Sequence, residues 1–418
     1  MTQKKRIVVV GGGAIGLCTA HFLALAGHEV TIVEKGEVGA GSSLHNAGLV
    51  CPSHFIPLAA PGMVSTGLRW MFKPDSPFYI KPRPDPVMAR WLWYFFRSCT
   101  AAHVARSMPL LRDLSVASLA LFEDMAGPHG MKFEFRKDGL IMLFRTGHGK
   151  QAARTAAAHA GALGVEARVL DREGLQSLEP GVEFRAVGGV YYPGDAHLTP
   201  ALLLGQLHAS LLGRGVRFLT STSATGFDQR RGVIAALETD RGPVAADEFV
   251  LAGGAWSPGI VGSLRLRLPV QAGKGYSVTV TASAVRLRVP CILDEARVAV
   301  TPMGDRLRFA GTMELAGLST GVTVPRVKAI VSALPLYLGG LDAVRVEQAD
   351  VWSGLRPVSP DGLPFIGRFR CHENLIAATG HSMLGISLAP ITGRLVADIV
   401  DGKMPSIDLH LLRADRFS

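Results

Sequence analysis

The stretch RIVVVGGGAIGLCTAHFLALAGHEVTIVE, residues 6–34, decides the fold. Its first five residues form a β-branched run that stops at glycine, as a buried parallel strand does. Residues 17–26 read as a helix ended by Gly27, and residues 28–33 as a second strand closed by Glu34. Between the first strand and the helix lies Gly11-Gly-Gly-Ala-Ile-Gly16. In such a loop Gly11 makes the tight turn, Gly13 lets the backbone approach a pyrophosphate, and Gly16 lets helix and strand pack closely. An acid at the end of the second strand, here Glu34, meets a ribose diol. The pattern predicts a dinucleotide-binding βαβ unit, with Gly11, Gly13, Ala14, Ile15, Gly16, Glu34 and Lys35 as candidate contacts.

Working outward, the chain does not continue with alternating strands and helices, as a nicotinamide enzyme would. It enters a second small-residue loop, Gly39-Ala-Gly-Ser-Ser-Leu-His-Asn-Ala-Gly48. Small residues let backbone N–H groups, with the hydroxyls of Ser42 and Ser43, come against a pyrophosphate and a flavin edge. That favours FAD, with Ser42, Ser43, His45, Asn46, Ala47 and Gly48 as further contacts; the competing reading is a plain surface loop.

At 418 residues the chain holds two or three domains by size, and 48% apolar residues against 19% charged ones support a large core. The net charge of +10 is spread over short groups such as Arg230-Arg231, so no basic stripe points to nucleic acid; an anionic small molecule or an acidic membrane surface fits as well. Five scattered cysteines indicate neither a disulfide framework nor a zinc site, no metal centre is expected, and a reducing cytoplasm is the expected compartment. The uncharged run after Lys5 and Arg6 is not read as a signal peptide or span, because three consecutive glycines would break it.

Residues 52–86 are irregular and proline-rich, and two helices follow over 87–99 and 101–125, the first rich in aromatics. That aromatic helix is read as buried, with membrane or partner contact as the alternative. Residues 132–135 and 140–144 read as a hairpin around Lys137-Asp-Gly139. Thr199-Pro200 opens a helix. Strands follow near 216–219, 222–228, 233–239 and 244–251, ending in Gly253-Gly-Ala-Trp256; strands near 269–280, 297–302 and 306–310 belong to a second domain. A helix is expected to begin near Leu384, and its N-terminus would oppose negative charge on a reduced flavin. The fold class is α/β, α+β overall: a Rossmann-like FAD-binding domain from 1–75, 188–262 and 346–418, with a discontinuous substrate domain, 76–187 and 263–345, on a mainly antiparallel sheet with helices.

Arg356, among turn residues in Trp352-Ser-Gly-Leu-Arg-Pro-Val-Ser-Pro-Asp361-Gly362, is the candidate for binding a substrate carboxylate. Lys274 and Tyr276 either line the site or are an exposed strand lysine and a core tyrosine. His54 either packs its loop or touches substrate. Gly253, Trp256, Gly380, His381, Met383, Leu384 and Gly385 complete the candidate set.

These motifs resemble the D-amino acid oxidase-like FAD-dependent oxidoreductase superfamily, most closely its bacterial D-amino acid dehydrogenases and hydroxyproline dehydrogenases. The likeness rests on Gly11–Gly16 with Glu34, Asn46-Ala-Gly48, Ala59-Ala-Pro-Gly62, Gly253-Gly-Ala-Trp-Ser257, Gly354-Leu-Arg-Pro357 with Asp361-Gly362, Thr379-Gly-His381 and Asp415-Arg-Phe417. It implies FAD, hydride transfer from the substrate Cα to flavin N5, and carboxylate binding by Arg356. It also implies non-covalent flavin, although the segment around His45 looks like that of dimethylglycine and sarcosine dehydrogenase relatives, where a histidine is bonded to the flavin.

The expected function is therefore oxidation of a D-amino or cyclic D-imino acid, with electrons passed to a quinone or redox partner and with peripheral inner-membrane association compatible with the charge. The alternatives are a sarcosine- or glycine-type oxidase using O₂, and a flavin electron-transfer subunit of a larger complex. The segment Cys51–Pro61, mostly apolar with His54, resembles the hydroxyproline branch and points to D-proline or 4-hydroxy-D-proline, His54 meeting the ring hydroxyl.

Overall fold

The computed structural model describes residues 3–71, 76–230, 232–281 and 285–417. Arg231 and residues 72–75, which include the expected boundary at 75, lie outside the described residues. The opening unit folds as β1 (Arg6–Val10), α1 (Ala14–Leu25) and β2 (Glu29–Val33). The two strands are parallel, with Val9 opposite Ile32. Branched side chains suit β1 because both of its faces are covered: Ile7 and Val9 enter the helix-side core, Val8 and Val10 the core beneath Phe249 and Leu251.

Glu248–Leu251 pairs with β1 on its other side, followed outward by His372–Thr379 and Phe365–Phe369, while Arg217–Leu219 flanks β2, so the sheet has six strands. Helix Ala389–Val400 packs on α1 so closely that a Cβ at Gly393 would lie 2.5 Å from the Cys18 carbonyl oxygen.

The second large sheet has nine strands and is mainly antiparallel. Asp350–Val358 lies at its edge beside Gln271–Thr281, which is followed by Arg306–Leu315 and Val298–Met303. Both Asp350–Val358 and Gly188–Tyr192 belong to this sheet, so the chain changes sheets after the expected boundaries at 346 and 188. The reason at 346 is a full ladder, from Thr279 opposite Asp350 to Gln271 opposite Val358, which carries Arg356 onto the second sheet. Return to the first sheet begins at Phe365.

Other local expectations are corrected. Residues 132–135 form no hairpin: Glu134 is left-handed (φ 54°), and Phe133 and Phe135 stack around Phe122 of helix Ala101–Ala126. Leu140–Phe144 pairs instead with Gly188–Tyr192 and Cys291–Leu293. The irregular segment 52–86 contains helix Met63–Met71 and strand Phe78–Ile80. The aromatic helix, Pro86–Ser98, buries only one face: Met88 and Trp91 are buried while Val87, Trp93 and Phe96 are exposed. Trp91 Nε1 donates to the Val358 carbonyl at 3.0 Å, holding the end of the Arg356 strand. Among the described residues no helix is long and apolar enough to cross a membrane.

Candidate active site

Two glycines of the first loop are required by contact. Gly11 has φ +110°, and a Cβ there would lie 2.6 Å from the Ala252 carbonyl oxygen; a Cβ at Gly16 would lie 1.9 Å from the Gly11 carbonyl oxygen. Gly13 is the N-cap of α1 and supplies no side-chain cap, and the first turn contains no acid. The α1 terminus is thus suited to an anion, met so far by the neutral Ser43 hydroxyl, which accepts from Ala14 N–H at 2.9 Å. Ile15 is half-buried behind it. Glu34 caps the loop, accepting from Gly12 N–H at 2.7 Å and Gly36 N–H at 3.0 Å. Lys35 stands over the Trp256 ring, 3.2 Å from its centroid, and burial lowers its pKa. Residues that a side chain would disrupt, beside an uncapped helix end and a carboxylate, fit the nucleotide half of FAD.

The second loop is tied to the nine-stranded sheet. Ser42 Oγ donates to the Leu355 carbonyl. Arg308, buried on strand Arg306–Leu315, donates to the carbonyls of Leu44 (3.3 Å) and Asn46 (2.8 Å) and to Thr279 Oγ1. Burial pushes its pKa down to about 10. Asn46 Oδ1 accepts from Gly48 N–H, and Gly48 is left-handed, with the Leu198 carbonyl oxygen standing where a Cβ would have to go. Ala47 is half-buried between them. His45 stacks on Trp352, centroids 4.8 Å apart, and its pKa is lowered by burial and then by the Arg308 charge. Among the described residues its buried Nδ1 has no partner. Nothing in the sequence marks Arg308, since Arg306 two residues earlier is exposed.

Trp352, Gly354 and Arg356 alternate onto one face of their strand. A Cβ at Gly354 would meet the Trp352 ring at 1.8 Å, and one at the paired Gly275 would meet Arg356 Nη1 at 1.8 Å. Two glycines thus form a floor for an indole and a guanidinium. Arg356 donates to the Thr312 carbonyl at 2.7 Å and, among the described residues, has no carboxylate partner. Burial lowers its pKa to about 10.

Lys274 and Tyr276 alternate onto the opposite face. Lys274 is buried, donating to the Gly321 carbonyl at 2.9 Å and standing 3.7 Å from Glu314. Tyr276 donates to Glu314 at 2.7 Å in the core with Val327 and Ile330, and burial raises its pKa to about 12. The structure therefore does not bring these two to Arg356.

The C-terminal motif closes the nucleotide side. Thr379 Oγ1 donates to the Gly254 carbonyl and accepts from Ser257, which holds the Gly253 turn against the strand end. Gly380 has φ +79°, with a prospective Cβ 2.7 Å from Phe365. His381 is buried, bonded through Nε2 to Thr392 Oγ1 at 2.9 Å, and burial pushes its pKa to about 3, so it is neutral. The helix expected near Leu384 begins at Ala389: Ser382 is left-handed, turns carry Leu384 and Gly385, and Pro390 suits the first helical turn. Met383 is exposed. Asp361 accepts two bonds from Arg416, at 2.7 and 2.9 Å, so it anchors the C-terminal segment. His54 bonds through Nδ1 to Ser53 Oγ at 3.0 Å.

A model of the family described as FAD dependent oxidoreductase matches residues 6–399. The chain is 36% identical over 421 residues to a D-amino acid dehydrogenase of Granulibacter bethesdensis, covering 99% of this chain and 100% of that one. It is 34% identical to a D-amino acid dehydrogenase of Agrobacterium fabrum, with 99% of each covered. Among solved structures it is similar to glycine oxidase from Geobacillus kaustophilus, with a TM-score of 0.79, 25% identity and 99% of each chain covered.

Proposed function

Because this chain belongs to the family of FAD dependent oxidoreductases, we propose that it is a dehydrogenase of D-amino acids or cyclic D-imino acids. FAD, when bound, supplies the acceptor for the hydride that leaves the substrate Cα. Gly11, Gly13, Ala14, Gly16, Glu34 and Lys35 hold its nucleotide half, and residues 42–48, with Gly253, Trp256 and Gly380, hold the remainder.

The observation that carries the reading is Arg356, a half-buried guanidinium without a carboxylate partner among the described residues, laid over Gly275 on the face that meets the flavin loop. It binds and orients the substrate carboxylate. Trp352 and His45 form an aromatic wall beside it that excludes water. Replacing Arg356 by Ala is expected to lower kcat/KM by about two orders of magnitude with flavin content unchanged, since a charge-assisted contact to an anion is lost. Unchanged kinetics would place the carboxylate elsewhere.

The finer reading is a compact cyclic substrate, D-proline or 4-hydroxy-D-proline. It is supported by the segment behind the flavin loop, where Cys51, Phe55 and Ala59 are buried. A substrate panel led by D-arginine or D-glutamate would remove it. The acceptor is a quinone or redox partner in a cytoplasmic setting, and peripheral attachment to an acidic membrane is supported by the +10 charge and by exposed Trp93 and Phe96 beside Arg97. Faster turnover with a quinone analogue than with O₂ is expected. Rapid peroxide formation would favour the oxidase reading, which the likeness to glycine oxidase supports.

The flavin is held without a covalent bond and is released on acid precipitation. The unpartnered Nδ1 of His45 favours a second outcome, flavin that stays with the denatured wild type but not with His45→Ala.

A further inference from the structure

Behind the flavin loop, the short strand Leu49–Val50 pairs with Ala196–His197 and brings two distant loops together. There Asp195, fully buried, accepts from Ser53 N–H at 3.0 Å and from Ser53 Oγ–H. The Cys51 thiol also bonds to this carboxylate. Ser53 Oγ in turn meets His54 Nδ1 at 3.0 Å. Because the serine proton goes to Asp195, His54 Nδ1 carries a proton toward Ser53, and Nε2 is left as the basic edge of the ring. That edge has no protein partner among the described residues, and the ring as a whole is only half-buried. A continuous hydrogen-bonded path therefore runs from the imidazole of His54 through Ser53 to a buried carboxylate.

We propose that His54, Ser53 and Asp195 form a proton relay that takes the proton from the substrate ammonium before its Cα is oxidised. The inference rests on the amine-oxidising function proposed above. The ammonium N–H bond breaks and His54 Nε2–H forms; Nδ1–H passes to Ser53 Oγ, and the serine proton passes to Asp195. No electrons move in this step.

Of the other groups around the site, His45 has no hydrogen-bonded carboxylate behind it, since its buried Nδ1 has no partner among the described residues. Arg356 and Arg308 are cations, Lys274 and Tyr276 lie on the far face of the sheet, and His381 is bonded to Thr392. His54 is here assigned to the amine instead of a ring hydroxyl. The sulfur of Cys51, an imidazole nitrogen of His54 and a carboxylate oxygen of Asp195 lie within 4.8 Å of one another, but both Asp195 oxygens and His54 Nδ1 are already engaged by Ser53, which suits proton transfer better than metal binding.

Burial pushes the Asp195 carboxyl up to about 7, against the lowering pull of its Ser53 and Cys51 bonds. Burial, then the Arg297 charge, lowers His54 to about 4. Tyr192 on the neighbouring strand feels Asp195 and Asp294, Cys51 feels Asp195, and Ser387 brings its hydroxyl to the Cys51 amide at 3.2 Å. An imidazole that holds a proton only in passing, backed by a carboxylate that titrates near neutrality, is what a relay needs.

The test compares pH profiles of flavin reduction in the wild-type holoenzyme, Ser53→Ala and Asp195→Asn. The variants are expected to lose about a hundredfold in kcat/KM at pH 7 and to rejoin the wild type near pH 10, where the substrate amine is already neutral. Infrared titration supplies a second readout: a protonated-carboxyl band present at pH 5, lost by pH 9, and missing in Asp195→Asn. A Ser53→Ala profile parallel to the wild type at every pH overturns the relay, as does absence of the band at pH 5, or zinc that copurifies and is lost in Cys51→Ser. Should Asp195→Asn fail to fold, Ser53→Ala alone decides. If no D-amino or D-imino acid reduces the wild-type flavin at any pH, the function proposed above falls first and the relay with it.

Discussion

Glycines line both halves of this site, for different reasons. In the first loop, Gly11 and Gly16 let backbone meet backbone: the atoms in the way of a methyl are carbonyls of Ala252 and Gly11. On the strand pair of the second sheet, Gly275 and Gly354 make room for the far ends of side chains, Arg356 and Trp352. A backbone carbonyl has nowhere to go, whereas a guanidinium can swing away. The first pair therefore governs whether the first loop can form, and the second governs where Arg356 and Trp352 point.

The sharpest way to break this contrast is to place the same methyl in each region. Gly16→Ala is expected to cost about 3 kcal/mol of stability by overpacking and to abolish flavin retention, read as the absorbance ratio of the purified protein. A normal ratio would show that the loop can yield. Gly275→Ala is expected to keep its flavin while kcat/KM falls by roughly ten- to a hundredfold, because Arg356 is displaced. Lys274→Met, one residue away on the other face, is expected to leave kcat/KM within about twofold while losing about 3 kcal/mol, since Glu314 is stranded near the core. If Lys274→Met harms kinetics as Gly275→Ala does, the division between the two faces fails.

The remaining expected effect is on acid stability. Burial lowers His21, His54 and His197 to about 4 and His381 to about 3, from 6.5. The unfolded chain binds protons there first, so this stability is complete above pH 6.5 and is lost as pH falls toward 4. Asp195, raised from 3.8 to about 7, works in the opposite sense, its contribution fading as pH rises through that range. These histidines, with His45 also lowered by burial, against Asp195 and the likewise raised Asp294 predict a lower urea midpoint at pH 4.5 than at pH 6.5, and Asp195→Asn should widen the gap.

The first thirty-four residues were legible because their pattern is local, a branched strand, a glycine turn, a helix and an acid, even though long-range pairing completes the sheet around them. The second sheet was less so. Residues 274, 275 and 276 stand together in the sequence, but strand pairing sets Gly275 opposite Gly354, under the Arg356 guanidinium, and turns its two neighbours to the other face, and only the register decides which. Phe133 and Phe135 have the alternation of a strand, yet Phe122 offers them a better partner than a ladder does. Asp195 reads as a turn residue in Tyr192-Pro-Gly-Asp195, because Ser53, which gives it meaning, is far along the chain. Arg308 was hidden for the same reason, its partners lying in the flavin loop.

The central place of β1 in its sheet also has a consequence for synthesis. Its neighbour Glu248–Leu251, and the Ala252 carbonyl that closes over Gly11, emerge from the ribosome long after β1 itself. At the usual ~5–20 residues per second that delay is on the order of tens of seconds. During it, the nascent chain exposes an apolar strand edge and has only part of a nucleotide cradle. Cofactor loading is therefore a late event in the life of the polypeptide, and chaperone occupancy of its first segment should be set by translation speed.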